Sequence, residues 1–123
     1  MNDKLVSVNI LGINMKGFLF RSITSVQKQS YKPIEINYID NGSVDDSILF
    51  VQNNFPRVNI IKNDANLGYS GGHNRGIENS TGNYIMLLNA DIELDANCIS
   101  ERVKSIEKED KIGMADGKLY RVN

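Results

Sequence analysis

Short apolar runs alternate along the chain with longer amphipathic ones. Residues 5–11 (LVSVNIL) are apolar and β-branched and predict a first strand. From residue 18 to 29, Phe18, Ser22, Ile23 and Val26 fall on one helical stripe. Tyr31-Lys32-Pro33 ends that helix, because the residue before a proline is pushed out of the α region. Residues 34–39 (IEINYI) alternate as a strand and run into Asp40-Asn41-Gly42-Ser43. Ser43 is a candidate N-cap for a helix over residues 44–54, with Asp45 and Asp46 favourable at its positive end. Residues 58–61 predict a third short strand. Residues 63–72 are polar and glycine-bearing and predict a loop, with a helix over about 70–80. Residues 84–88 (YIMLL) form a continuous apolar run, the mark of a central strand covered on both faces. Asp95 is a candidate cap for a last helix reaching residue 108, striped by Ile99, Val103 and Ile106, and a fifth strand is expected to start over 112–114.

Strand and helix alternate throughout, so the predicted class is α/β with a mainly parallel sheet. The chain has 123 residues, one domain's worth, with no repeat or internal linker. Composition narrows the function. Fourteen basic residues stand against 15 acidic ones, for a net charge of −1, so the basic surplus of a nucleic-acid footprint is missing and no nucleic-acid partner is expected. Cys98 is the single cysteine and His73 the single histidine, which excludes an intrachain disulfide, a cysteine-rich zinc site and a His-His metal site. Cys98 reads most simply as a small buried apolar group, and His73 as a helix-surface or loop residue. The first residues lack a signal-peptide pattern and no apolar run is long enough to span a bilayer. The expectation is a cytoplasmic protein, with room for peripheral association at the inner face of the membrane through a partner.

In an open parallel sheet, ligands bind beyond the carboxyl ends of the strands. Polar segments fall at three such ends: Gly12-Ile13-Asn14, Asp40-Asn41-Gly42-Ser43 and Asn89-Ala90-Asp91. The segment from Asn66 to Gly76 lies between the second and third. Each has a plain reading as a turn, a cap or a surface loop. Their joint occurrence in this order describes a ligand cleft. The glycine spacing Gly68-x-x-Gly71-Gly72-x-x-x-Gly76 does not fit a dinucleotide-binding G-x-G-x-x-G and follows the third strand, not the first. Gly117-Lys118 is followed by Leu119 and does not complete a P-loop.

With Lys28-Gln29-Ser30-Tyr31-Lys32-Pro33 upstream, the segments Asp-Asn-Gly-Ser, Asn-Leu-Gly-x-x-Gly-Gly-x-Asn and Leu-Asn-x-Asp resemble the family 2 glycosyltransferases over residues 5–113. The later segments are similar to the rhamnosyltransferase-type branch. The resemblance implies a Rossmann-like three-layer α/β/α architecture, the nucleotide-binding half of the GT-A fold. It implies inverting transfer of a sugar from a UDP- or dTDP-sugar donor to a glycan or lipid-linked acceptor in surface polysaccharide synthesis. Asp40 would accept a hydrogen bond from the pyrimidine N3–H, which an acceptor-only carboxylate cannot do with cytosine. Ile13 and Asn14 would line the base pocket, with Ile13 replacing the stacking or polar residue usual there. Asn66, Gly68 and Gly72 would bring backbone close to the nucleotide, and Asn74 and Arg75 would offer donors. Asp91, supported by Asn89, would hold a divalent cation, Mg²⁺ or Mn²⁺, on the diphosphate. The family's acceptor-binding part and its general base are expected to be missing from residues 1–123. A nucleotide-binding module that transfers nothing is the alternative reading of the same motifs.

Overall fold

The computed structural model describes residues 4–108, 114–115 and 119–122. The elements in chain order are β1 (Val6–Gly12), α1 (Lys16–Gln27), β2 (Ile34–Asp40), α2 (Ser47–Asn54), β3 (Asn59–Lys62), α3 (Gly68–Glu78), β4 (Tyr84–Asn89), α4 (Cys98–Lys108), β5 (Met114–Ala115) and β6 (Leu119–Arg121). Among the described residues they form a six-stranded sheet in the order β3-β2-β1-β4-β6-β5. The first four of these strands run parallel, and β6 adds antiparallel to β4 and to β5. The α/β class and the mainly parallel sheet read from the sequence are those observed. The fifth strand was expected from residue 112. Ile112 and Gly113 lie outside the described residues, and Met114 begins β5. The antiparallel β6 has no counterpart among the expected elements.

Alternation along the parallel strands separates two faces. Val6, Val8 and Ile10 of β1, Tyr38 of β2, and Tyr84, Met86 and Leu88 of β4 join the main core. That core takes Leu19, Ile23 and Val26 from α1, Val51 from α2, and Ile99, Val103 and Ile106 from α4. On the opposite face, Leu11, Ile39 and Ile61 form a smaller cluster. There α3 lies close on β1 and β2: a Cβ added at Gly76 would come within 2.8 Å of Ile39 Cδ1 and 3.0 Å of Asn9 Nδ2. At Gly72 it would come within 2.6 Å of Leu11 Cδ1. The same face carries a polar ladder. Asn9, Asn37 and Asn59 stand side by side on β1, β2 and β3. Asn59 Nδ2 donates to Asn37 Oδ1 (3.0 Å), Asn37 Nδ2 to Asn9 Oδ1 (2.9 Å), and Asn9 Nδ2 to Ser80 Oγ (2.9 Å). Each buried amide thus finds the partner that burial demands.

Several element edges differ from the sequence reading for local reasons. Helix α1 starts earlier, at Lys16, and its buried stripe is Leu19, Ser22, Ile23, Ser25 and Val26. Phe18 is one position off that stripe and stands 53% exposed. Helix α2 starts at Ser47, not Val44, and Ser43 does not cap it. The Ser43 hydroxyl donates instead to Asp40 Oδ1 (2.6 Å), and its oxygen accepts from the Asn14 N–H (2.8 Å). Helix α4 starts at Cys98, where the backbone N–H bonds to the Asp95 carbonyl (3.0 Å), so Asp95 assists as backbone. Gln29, past the end of α1, is buried because its amide joins Ser25 O, Asp95 O and the Ile99 N–H. No helix among the described residues is long and apolar enough to cross a membrane.

The two kinds of glycine environment make opposite predictions for one substitution. Gly17 in α1 has no atom within 4 Å of an added Cβ. Gly17→Ala is expected to raise unfolding stability by about 0.4–1 kcal/mol through the unfolded chain's entropy. Gly76→Ala forces Ile39 or the Asn9 amide aside and is expected to lower it by about 1–3 kcal/mol. Denaturant titration of both variants checks the pair, and equal effects would contradict the close packing of α3.

Candidate functional site

The carboxyl ends of β1, β2 and β4 open on a cleft of about 300 Å³. It is lined by Leu11, Gly12, Ile13 and Met15 after β1, by Asn41 after β2, by Asn66, Gly68 and Tyr69 at the start of α3, and by Asn89, Ala90 and Asp91 after β4. Larger hollows lie elsewhere, one at the amino ends of β2 and β3 (about 410 Å³) and one along the β4–α4 loop (about 530 Å³). Neither lies at the carboxyl ends of the strands.

Local chemistry explains why these loops meet. Asn41 follows β2 and is only 4% exposed. Its Nδ2 donates to Asn66 Oδ1 (3.1 Å) and to the Gly68 carbonyl (3.1 Å). Its Oδ1 accepts from Asn63 Nδ2 (3.1 Å) and from the Leu67 N–H (3.1 Å). A side-chain amide has two donors and two acceptor sites, and all four are used. Asn66 Oδ1 also accepts from the Gly68 N–H (2.8 Å), folding the loop into the start of α3. Gly42 turns the chain beside this knot with φ 89°, and its Cα faces the Ala65 backbone too closely for a side chain.

Asp40, the last residue of β2, is buried with 0% exposure. Its Oδ1 accepts from the Tyr38 hydroxyl (2.6 Å) and the Ser43 hydroxyl (2.6 Å), and its Oδ2 from the Ser43 N–H (2.8 Å). Burial, and then the neighbouring Asp40 carboxylate, push the Tyr38 phenol well above its ordinary pKa, so it remains a donor. Asn14 adopts a left-handed φ of 52°. Its N–H donates to Ser43 Oγ (2.8 Å), and its Oδ1 accepts from the Val44 N–H (2.8 Å) and the Asp45 N–H (3.2 Å).

Of the residues singled out from sequence, Ile13, Asn66, Gly68, Asn89 and Asp91 share the lining of this cleft. Asn14, Asp40, Gly72, Asn74 and Arg75 flank it without lining it. Asn14 ties the loop after β1 to the start of α2. Gly72 is buried under α3, and Asn74 is exposed on that helix. Arg75 Nε donates to Asn63 Oδ1 (3.0 Å), extending the amide network outward. Asn41, Met15 and Tyr69 were missed as site residues. A run of asparagines at 41, 63 and 66, each beside a strand end, was the signal available in the sequence. His73 is not a surface or loop residue. It is 2% exposed on the sheet side of α3, where Gly72 and Gly76 let the helix sit low, and its ring meets Tyr69 edge-on at 4.6 Å. Cys98 is half-buried rather than buried, with Arg102 Nη1 2.7 Å from its sulfur.

Among the described residues, no cluster of three acidic, histidine or cysteine side chains could hold a metal by itself. Asp91 is exposed in the cleft and Asn89 is half-buried beside it. One carboxylate and one amide oxygen suit a hard cation that takes its remaining ligands from phosphates and water. The donor set therefore fits Mg²⁺ or Mn²⁺ brought in with a diphosphate.

An α/β sheet with a polar cleft at its carboxyl ends has the architecture in which ligands bind beyond the strand ends. Comparison with known proteins narrows the class. Residues 7–121 match the family described as Glycosyl transferase family 2, and the chain belongs to that family. An uncharacterized glycosyltransferase of Haemophilus influenzae is 35% identical over 94 residues, 74% of this chain and 38% of the relative. The Escherichia coli protein named UDP-Glc:alpha-D-GlcNAc-diphosphoundecaprenol beta-1,3-glucosyltransferase WfaP is 31% identical over 107 residues, 86% of this chain and 43% of that protein. The fold is shared with the mannosyltransferase PcManGT of Pyrobaculum calidifontis, solved with GDP-Man and Mn²⁺. The TM-score is 0.83 at 18% identity, covering 91% of this chain and 34% of that one. The chain thus spans less than half the length of these relatives.

The junction beside the cleft carries its own pH signature. Asp45 Oδ1 accepts from the Ser47 N–H (3.0 Å) and hydroxyl (2.5 Å), and Oδ2 from the Lys16 N–H (3.3 Å). Slight burial alone would raise its pKa, but these hydrogen bonds and the Lys16 charge outweigh it and hold the carboxyl below its ordinary value. A depressed folded-state pKa stabilises the protein above the unfolded value, near ~3.9, and that contribution is lost as pH falls through the folded value. Asp45→Asn is therefore expected to be less stable than the parent at pH 7. The gap should narrow as pH falls below about 4, as followed by denaturant midpoints over that range.

Proposed function

We propose that this chain is the donor-binding part of a glycosyltransferase that uses a UDP- or dTDP-sugar. The observation that carries the reading is the cleft at the ends of β1, β2 and β4, in which Asp91 is the only carboxylate on the lining among the described residues. Asp91 and Asn89 would hold a divalent cation against the donor diphosphate. When bound, that cation stabilises charge developing on the leaving nucleoside diphosphate. The relative with a UDP-Glc name and the neighbour solved with GDP-Man and Mn²⁺ support a metal-assisted nucleotide-sugar donor. The nucleoside then extends from Asp91 toward Ile13 and the turn at Asp40. Three hydrogen bonds occupy the Asp40 carboxylate, which offers about four lone-pair sites, so one acceptor site on Oδ2 remains for a pyrimidine N3–H. Asp40 is buried and does not line the cleft, so on this proposal the base has to open the turn at Gly42 to reach it. Asn66 and Gly68 bring polar backbone and amide groups to the donor, while Asn14, Gly72, Asn74 and Arg75 hold the surrounding loops and helix. The acceptor we infer is a glycan or a lipid-linked sugar, met from the cytoplasmic side at the membrane surface, and the transfer inverts the anomeric centre.

A second reading keeps the donor site and removes the reaction. Inverting transfer needs a general base within about 2.6–3.2 Å of the acceptor hydroxyl, and among the described residues Asp91 is the lone carboxylate lining the cleft. On that reading residues 1–123 bind nucleotide and transfer nothing. Release of nucleoside diphosphate from a panel of UDP- and dTDP-sugars with glycan acceptors separates the two readings.

Calorimetry with UDP, dTDP, CDP and GDP in Mn²⁺ tests the donor site. UDP and dTDP are expected to bind about tenfold or more tightly than CDP, since Asp40 has no donor to meet cytosine N3. Chelation of the metal, or Asp91→Asn, is expected to weaken UDP while leaving uridine unchanged. Equal affinity for UDP and CDP would overturn the pyrimidine assignment, and indifference to metal would overturn the role of Asp91.

A further inference from the structure

Among the described residues, Tyr69 is the one aromatic side chain on the lining of the cleft. It stands in the first turn of α3, directly after Gly68 with its left-handed φ of 76°, and it is 53% exposed. A tyrosine normally gains by burying its ring and finding a partner for its hydroxyl. Here the ring faces solvent, and no hydrogen bond from the hydroxyl to another described residue accounts for its position.

The ring is nevertheless held. His73 lies four residues on, one helical turn away, and meets it with centroids 4.6 Å apart at 72°. His73 is 2% exposed, so the support under the ring belongs to the packed face of α3. The chain entering that turn is fixed by Asn41, which donates to the Gly68 carbonyl and to Asn66. An exposed aromatic on a fixed backbone, with a buried ring behind it, is a surface prepared for a flat ligand.

Its place along the cleft says which part of the ligand. The sheet order puts β2 and β3 on one side of β1 and β4 on the other. Asn89 ends β4 and Asp91 lies two residues on, so on the donor-site reading they mark the side where a metal-bound diphosphate would lie. Tyr69 lines the cleft with Asn41, Asn66 and Gly68, on residues that follow β2 and β3. The lining after β1 opposite it is aliphatic, Ile13 and Met15.

We propose that Tyr69 is the stacking platform for the base of the donor nucleotide, supplying the π face that Ile13 lacks. This rests on the donor-site reading above. Stacking accepts any base, so Tyr69 provides affinity while the Asp40 turn provides the choice of base. The hydroxyl is dispensable to that role and the ring is not.

The test is calorimetry on the 123-residue chain in Mn²⁺ with UDP and, separately, inorganic pyrophosphate. Tyr69→Ala and Tyr69→Leu are each expected to weaken UDP about tenfold, within the range of one base–aromatic stack. Pyrophosphate affinity should be unchanged in both, and Tyr69→Phe should bind UDP as the parent does. The leucine variant keeps apolar bulk on the turn, so a loss common to both variants reports the ring and not a collapsed loop. Unchanged UDP affinity in both variants would overturn the role of Tyr69 while leaving the donor site standing. So would a parallel loss of UDP and pyrophosphate. If the parent chain binds pyrophosphate but shows no preference for UDP over it, the donor-site reading falls and the stacking role falls with it.

Discussion

The side-chain amide of Asn41 is the knot on which the cleft depends. It sits where β2 ends, and its four hydrogen bonds reach Asn63 beyond β3, Asn66 and Leu67 in the following loop, and the first residue of α3. A loop of polar residues has little apolar surface to bury, so its conformation must be set by hydrogen bonds. A buried amide with every site used is worth more to such a loop than the same bonds in water, because the alternative is an unsatisfied polar group in a low-dielectric site. Asn63 passes the constraint to Arg75, and Gly42 makes room for it against the Ala65 backbone. The aspartate that precedes it, Asp40, is tied by three hydrogen bonds to Tyr38 and Ser43. Two adjacent residues therefore organise the two halves of the β2 end. Asp40 holds the turn toward α2, and Asn41 holds the loop toward α3.

The low seat of α3 follows from the same economy of space. Gly72 and Gly76 face Leu11, Ile39 and the Asn9 amide at distances that leave no room for a methyl group. With the helix that low, its first turn reaches the mouth of the cleft instead of standing above it, and His73 becomes a buried support for Tyr69. The polar ladder Asn59–Asn37–Asn9–Ser80 on this face then needs no water, because each amide meets the next strand's in register. Stability and site are built here from one set of contacts. The opposite face, with the apolar stripes of α1, α2 and α4, holds the sheet and reaches the cleft through Ala90 and Met15.

A site with so few charges suits a ligand that brings its own. Asp91 is exposed and lies beside a half-buried amide, which is too little to concentrate a cation without phosphate. On the donor-site proposal, metal, diphosphate and nucleoside would assemble together across the strand ends, over loops that the Asn41 amide ties to Asn66 and Gly68.

By itself, the sequence determined the alternation of strand and helix, the parallel sheet, the segments at the strand ends and the family. Hydrophobic periodicity and strong turn residues are local, and residues such as Tyr84–Asn89 and Val6–Gly12 announce a buried strand without reference to the rest of the chain. Tertiary structure decided the start of α1 at Lys16 and of α2 at Ser47, since Phe18 lost to the Leu19 stripe and Ser43 lost to Asp40 as a partner. It also decided the added strand β6, the burial of His73 and the exposure of Tyr69. These depend on how closely α3 approaches the sheet and on which side chains meet across about 30 residues or more of chain, as Asn14 meets Ser43 and Val44. A one-dimensional pattern carries no term for such distances. It could show that polar loops gather at one edge of the sheet. Which of their side chains face the cleft, and which are spent holding each other, was settled only by packing.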